Sequence, residues 1–175
     1  MDTCTCSACS ADQYFLNPDD QLYERRGLLN YKPVSLADRQ RLEPYIQAQH
    51  FENSELTFTD IYIWRLSWHV EWAIYGGALY FRMRMPGKCQ LYPVMPLDGN
   101  LTRDMIDVAI ADMRKSGLKP IMGSVSEEYL ARLKAVMPEG VSAEENIDFE
   151  DYVYRAEDLR ELAGKRYHGK RNHVA

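Results

Sequence analysis

Trp68-His-Val-Glu-Trp-Ala-Ile-Tyr-Gly-Gly-Ala-Leu-Tyr-Phe-Arg-Met-Arg84 is the stretch on which the fold turns. Two runs rich in aromatic and β-branched residues flank Gly76-Gly77. That pair suits a two-residue hairpin, whose central positions need positive φ. Met85-Pro-Gly87 then reads as a second turn, and Cys89-Gln-Leu-Tyr-Pro-Val94 as a third strand. Pro93 lacks an N–H, so it fits a strand end or an edge. The segment therefore predicts a three-strand antiparallel meander.

Helical periodicity surrounds the meander. Upstream, Ser35 is placed to cap a helix with Asp38 three residues on, and Leu36, Leu42, Tyr45 and Ile46 form an apolar stripe that Pro44 kinks or restarts. Thr57-Phe-Thr-Asp-Ile-Tyr-Ile-Trp-Arg65 predicts a second short helix capped by Thr57 or Thr59. Downstream, residues 101–116 give the clearest helix, with Asn100 or Thr102 as cap and Gly117 as stop. A strand is expected over 119–125, then a helix over 126–137 with Ser126 as cap. Further strands are expected over 141–145 and 152–155, and a short helix over 157–162. This order predicts an α/β domain, a mixed and mostly antiparallel sheet flanked by helices. Three hairpin-linked strands followed by helix–strand–helix–strand is also the order of the GNAT acyltransferase fold. The expected division is a leader at 1–29, one domain at 30–163 and a basic terminal segment at 164–175.

The chain has 175 residues, about the length of one domain, with 46% apolar residues and a formal charge of −5. Net acidity disfavours a body that binds nucleic acid generally, though it permits a local basic site. No apolar run reaches the ~18–20 residues of a membrane helix, and no export signal opens the sequence. The expected location is cytoplasmic, with all four cysteines reduced. Cys4, Cys6 and Cys9 supply three thiolates where a closed zinc site wants four ligands, so they read as part of a disordered tail and no metal is expected. Cys89 reads as a small core residue.

Catalytic motifs are missing. No Gly-x-Ser-x-Gly elbow, no phosphate-binding glycine loop and no His-Glu-x-x-His spacing occurs. Nor is there an Arg/Gln-x-x-Gly-x-Gly/Ala loop to cradle a coenzyme A pyrophosphate at a helix N-terminus. No cofactor is expected, and no catalytic residue is assigned. His69 lies among Trp68, Val70 and Trp72 and reads as a packed imidazole. The acidic stretch 139–158 reads as a solvated face, one that could also screen the basic tail beyond it. That tail is Lys165-Arg-Tyr-His-Gly-Lys-Arg-Asn-His-Val-Ala175. Lys165, Arg166, Lys170 and Arg171, with Tyr167, His168 and His173, are suited to phosphate contact.

Several stretches resemble a bacterial family of uncharacterised proteins related to the C-terminal catalytic domain of phosphatidylglycerol lysyltransferase. They are residues 31–38, 56–65, 72–79 and 162–173; the aromatic Phe58–Trp64 block and the basic closing motif are the most specific. The resemblance runs over roughly residues 28–175. It implies a tandem GNAT-like architecture, of which this chain is the first half, and transfer of an aminoacyl group from a charged tRNA to an acceptor such as a lipid headgroup at a membrane surface. A second GNAT-like half is expected in cis or in trans, and the first alone is expected to be inactive or weakly active. The closing motif, Lys165, Arg166, His168, Lys170, Arg171 and His173, is then a contact to tRNA phosphate or to the other half. Phe58, Tyr62 and Trp64 become core or cleft wall. Two other readings stand beside it: a non-enzymatic interaction module that keeps the fold, and a coenzyme A-dependent small-molecule N-acyltransferase.

Overall fold

The computed structural model describes residues 28–85, 88–147 and 153–174. Cys4, Cys6, Cys9 and the Pro86-Gly87 turn lie outside them. The chain divides into two compact units, the first ending at Ala143 and the second starting at Glu144. The boundary expected at 163–164 falls inside the second unit.

The first unit is built on a five-stranded antiparallel sheet: β1 (Lys32–Pro33), β2 (Glu71–Tyr75), β3 (Ala78–Met85), β4 (Lys88–Leu91) and β5 (Met95–Pro96). The order is β1-β2-β3-β4, and β5 takes over from β4 beside β3. The β2–β3 hairpin closes through Gly76 and Gly77 at φ 57° and 78°, as the glycine pair predicts. One sheet face packs on α1 (Arg39–Gln47) and α2 (Phe58–Trp64), where Leu42, Ile46, Phe58 and Ile61 meet Trp72, Leu79, Phe81, Tyr92 and Met95. The other packs on α3 (Arg103–Lys115) and α4 (Glu127–Val136), where Ile106, Ala109, Met113, Tyr129 and Leu133 meet Ala73, Ala78, Tyr80, Leu91 and Val94. Each large apolar side chain so buried contributes about 1.5–3 kcal/mol, which makes the two faces the main source of stability.

Local chemistry sets the helix starts. Asp38 accepts from the Ser35 N–H at 2.9 Å and from the Ser35 hydroxyl at 2.7 Å, so the chain enters α1 through a 3-10 turn at Leu36–Asp38. Pro44 lies within α1 and does not end it. Thr57, Thr102 and Ser126 accept from Asp60, Met105 and Tyr129 N–H groups and cap α2, α3 and α4.

Four strand expectations need correction. The first strand begins at Glu71 rather than Trp68, because His69 sits at φ 41° and the Val70 N–H turns back to the Arg65 carbonyl at 2.9 Å. The third strand breaks around Pro93. The β3 partners shift by one residue, from Arg82↔Leu91 to Leu79↔Met95, which is a β-bulge. Residues 119–125 form a single parallel bridge, Leu91↔Met122, with Ile121 and Gly123 bonded to Leu91 at 2.9 Å. Pro120 has no N–H to extend that ladder, and Ser124 at φ 54° turns away from it. Residues 141–145 form no strand, and the charged Glu144-Glu145 pair gives them no alternating apolar face to bury.

In the second unit α5 (Ala156–Glu161) leads through a left-handed Leu162 and a 3-10 turn at Lys165–Tyr167 into α6 (His168–Val174). The described residues 153–155 of the strand expected at 152–155 are irregular. Among the described residues no helix is long and apolar enough to cross a membrane.

Candidate functional site

The sheet face under α3 carries a buried polar cluster. Glu71 and Arg82 are cross-strand partners on β2 and β3 and are almost wholly buried; Arg82 Nε donates to Glu71 Oε2 at 2.7 Å. Arg84, two residues on and on the same face, donates to Glu71 Oε1 at 3.1 Å. The Arg82 guanidinium lies 4.0 Å from the centre of the Tyr31 ring. From α3, Asp112 Oδ1 accepts from the backbone N–H groups of Leu28 and Leu29 at 2.5 and 2.8 Å. Glu71 thus serves both arginines, whereas Asp112 Oδ2 is buried with no hydrogen-bond partner among the described residues. The cluster's role is to hold the chain entering β1 against the sheet and α3. Burial pushes the Cys89 thiol up to about 11 and raises Tyr31 well above a normal phenol. Both stay protonated near neutrality, so neither is an activated nucleophile.

A bulge is a common place for backbone groups to be free for chemistry. Here they are taken. The Tyr129 hydroxyl, from the first turn of α4, accepts from the Val94 N–H at 2.8 Å and donates to the Val94 carbonyl at 3.1 Å. The N–H that could face a developing oxyanion is thus already bonded. Beyond the bulge, Ser124 donates to Glu55, and Asn53 Nδ2 reaches the Ser124 carbonyl at 3.5 Å, which pins the turn before α4 to the 3-10 turn Ser54–Leu56.

The aromatic block divides. Phe58 is core, and Tyr62 stacks on it at 6.1 Å. Trp64 is 43% exposed and stacks on Trp68 at 5.2 Å, with Ile63 and Leu66 exposed beside it. The open concavity along α1, lined by residues such as Arg39, Gln40, Glu43 and Gln47, holds an Arg39–Glu43 pair and no convergent polar groups.

In the second unit the closing cations have different environments. Arg171 Nη1 donates to the Leu162 and Gly164 carbonyls, the latter at 2.8 Å, and so completes the end of α5. Lys170 Nζ sits 3.9 Å from the centre of the Tyr154 ring, and Arg166 Cζ lies 5.8 Å from it and 5.6 Å from Tyr167. Tyr167 is buried and donates to Asp158 at 3.2 Å. Lys165, His168 and His173 are exposed.

Sequence reading passed over Asp112, Tyr129 and the Glu71–Arg82 pair. Asp112 left a legible trace, an acid inside the Ala109–Met113 apolar stripe. Tyr129 left none, because its partner is a backbone group exposed by a bulge. Among the described residues no group of His, Cys, Asp and Glu is placed to hold a metal ion.

These features define a helix-flanked α/β unit with a buried polar cluster between the sheet and α3. The chain belongs to the family described as phosphatidylglycerol lysyltransferase, C-terminal, which matches residues 47–175. A crystal structure of a conserved protein of unknown function from Bacteroides thetaiotaomicron is similar, with a TM-score of 0.75 at 25% identity, over 84% of this chain and 49% of that one. The chain therefore spans about half the length of that solved relative. No curated protein matches it.

Proposed function

We propose that this chain is the first, GNAT-like lobe of an acyltransferase resembling phosphatidylglycerol lysyltransferase, one that takes an aminoacyl group from a charged tRNA. The family match over residues 47–175 carries this reading. The half-length alignment to the solved relative agrees with a lobe that works beside a second one. Acyl transfer from a tRNA ester needs an attacking amine or hydroxyl, a base, and donors for the oxyanion. With the bulge N–H bonded to Tyr129 and the buried thiol and phenols protonated, this lobe's part is to position substrate, and the reacting groups come from the other lobe.

The test is transfer of a labelled aminoacyl group from charged tRNA to lipid, by this chain alone and together with a second lobe. Turnover only with both supports the proposal. The same occupied bulge also fits a non-enzymatic interaction module, and no turnover in either arrangement selects that reading. Thermal stabilisation by acetyl-coenzyme A would select the coenzyme-dependent alternative.

A further inference from the structure

We infer that the buried Asp112 carboxylate is a receptor for a free α-amino group, the one released when the chain is cut between Arg26 and Gly27. The inference stands apart from the acyl-transfer reading, and it is tested by stability and amine reactivity.

Asp112 is 1% exposed, and among the described residues no lysine or arginine pairs with it. A buried carboxylate without a counter-charge is costly. Its Oδ1 accepts from the Leu28 and Leu29 N–H groups at 2.5 and 2.8 Å, whereas Oδ2 has no partner among the described residues. Two buried hydroxyls share that condition. One is Ser116, a turn further along the chain from Asp112. The other is Tyr31, which burial first and the Asp112 charge second raise well above a normal phenol. An ammonium brings one positive charge and three N–H donors, which match one carboxylate oxygen and two hydroxyl oxygens. Asp112 also lies in the last turn of α3, where the helix dipole favours a cation. A metal ion fits less well. No group of His, Cys, Asp and Glu among the described residues is placed to hold one, and the Arg82 guanidinium already lies 4.0 Å from the Tyr31 ring centre.

The chain itself delivers the amine. The two N–H groups on Oδ1 belong to consecutive residues, and the next nitrogen upstream is that of Gly27. Consecutive Cα atoms are ~3.8 Å apart, so this nitrogen is within one residue's reach of the carboxylate. The Arg25-Arg26 pair before it offers the cut. An arginine-specific endoprotease adds water across the Arg26–Gly27 peptide bond. Arg26 is left with a carboxylate, and the acid's proton passes to the Gly27 amine. The tethered amine then needs little intrinsic affinity to occupy the site.

The experiment is limited trypsin digestion of the full chain, followed by mass spectrometry, thermal melting and timed carbamylation with cyanate. The product starting at Gly27 is expected to melt about 5 °C above the uncut chain at neutral pH. Pairing raises the amine above its usual ~7.7–8.0, so the gain is full below that range and is lost as pH rises through the folded value. Glu71, Arg82 and Cys89 face the cluster from the sheet, and the Cys89 thiol is pushed up to about 11. Tyr31 also stays protonated, which leaves the amine as the group that titrates between about pH 7 and pH 10. Asp112→Asn keeps an oxygen for Leu28 and Leu29 but removes the charge. Its cut product should gain no stability, and its Gly27 amine should react about tenfold faster, as expected when a pKa falls by one unit. Ser116→Ala keeps the carboxylate and should retain most of the gain. A cut product no more stable than the uncut chain overturns the inference. So does a gain that persists in Asp112→Asn, or a Gly27 amine that reacts equally fast in both. Digestion that spares the Arg26–Gly27 bond while cutting elsewhere overturns it as well.

Discussion

Tyr129 shows how much one hydroxyl can hold. It bonds both backbone groups of Val94, a residue that is 1% exposed and would otherwise bury an unpaired donor and acceptor. Tyr129→Phe should destabilise the first unit by about 1–3 kcal/mol, the cost of leaving such groups unmet, read as a lower urea midpoint. Tyr80→Phe, which removes one longer bond at 3.3 Å to the Met105 carbonyl, should cost less in the same assay. Asp38 offers a pH test. Partial burial works to raise its pKa, but the bonds from the Ser35 hydroxyl, the Ser35 N–H and Lys32 outweigh that and hold it below the ordinary carboxylate value. The folded pKa is depressed, so its stabilisation is present above about pH 4 and lost as pH falls through the folded value. A stability profile from pH 6 to pH 2, in about half-unit steps, should therefore be flatter in this region for Asp38→Asn than for the parent.

At the level of elements, legibility followed locality. The hairpin, the three capped helices and the glycine stop after α3 were legible because each depends on neighbours within a turn or two. The 119–125 strand was misread because pairing is a property of two segments, and Pro120 with Ser124 leaves only one bridge to Leu91. The third strand was misread for a related reason: a register shift leaves no periodicity of its own. Among candidate site residues, the basic motif was legible as charge, but its split into Arg171 as a cap and Arg166 with Lys170 around Tyr154 needed coordinates. The β2–β3 pair has its own prediction. Glu71→Ala strips the shared acceptor from Arg82 and Arg84 and should cost about 3–5 kcal/mol by denaturant unfolding. Replacing Glu71 and Arg82 together, by Leu and Met, should recover much of that. In the second unit, Arg171→Gln should lower helical ellipticity, since the Leu162 and Gly164 carbonyls lose their donor.

Across the whole molecule, the chain shares its fold with a solved relative of which it covers 49%. In the sheet unit Glu71 pairs with Arg82 and Arg84, while Asp112 Oδ2 and the Tyr31 and Ser116 hydroxyls are buried with no hydrogen-bond partner among the described residues; the conspicuous exposed features are a tryptophan pair near the end of α2 and a cationic turn and helix in the second unit. Such a distribution suits a part that presents surfaces, and the expected absence of turnover by the chain alone is its measurable counterpart. The kink beside Pro93 has an evolutionary consequence too. Leu91 and Val94 share one hydrophobic layer, while Tyr92 and Met95 share the other. Pro93 is the one residue between Tyr92 and Val94, and its loss would restore an unbroken ladder in which Val94 faces Tyr80 and Met95 keeps Leu79, so each stays in its own layer. This edge should therefore tolerate loss of Pro93, a change in length that leaves both layers as they are.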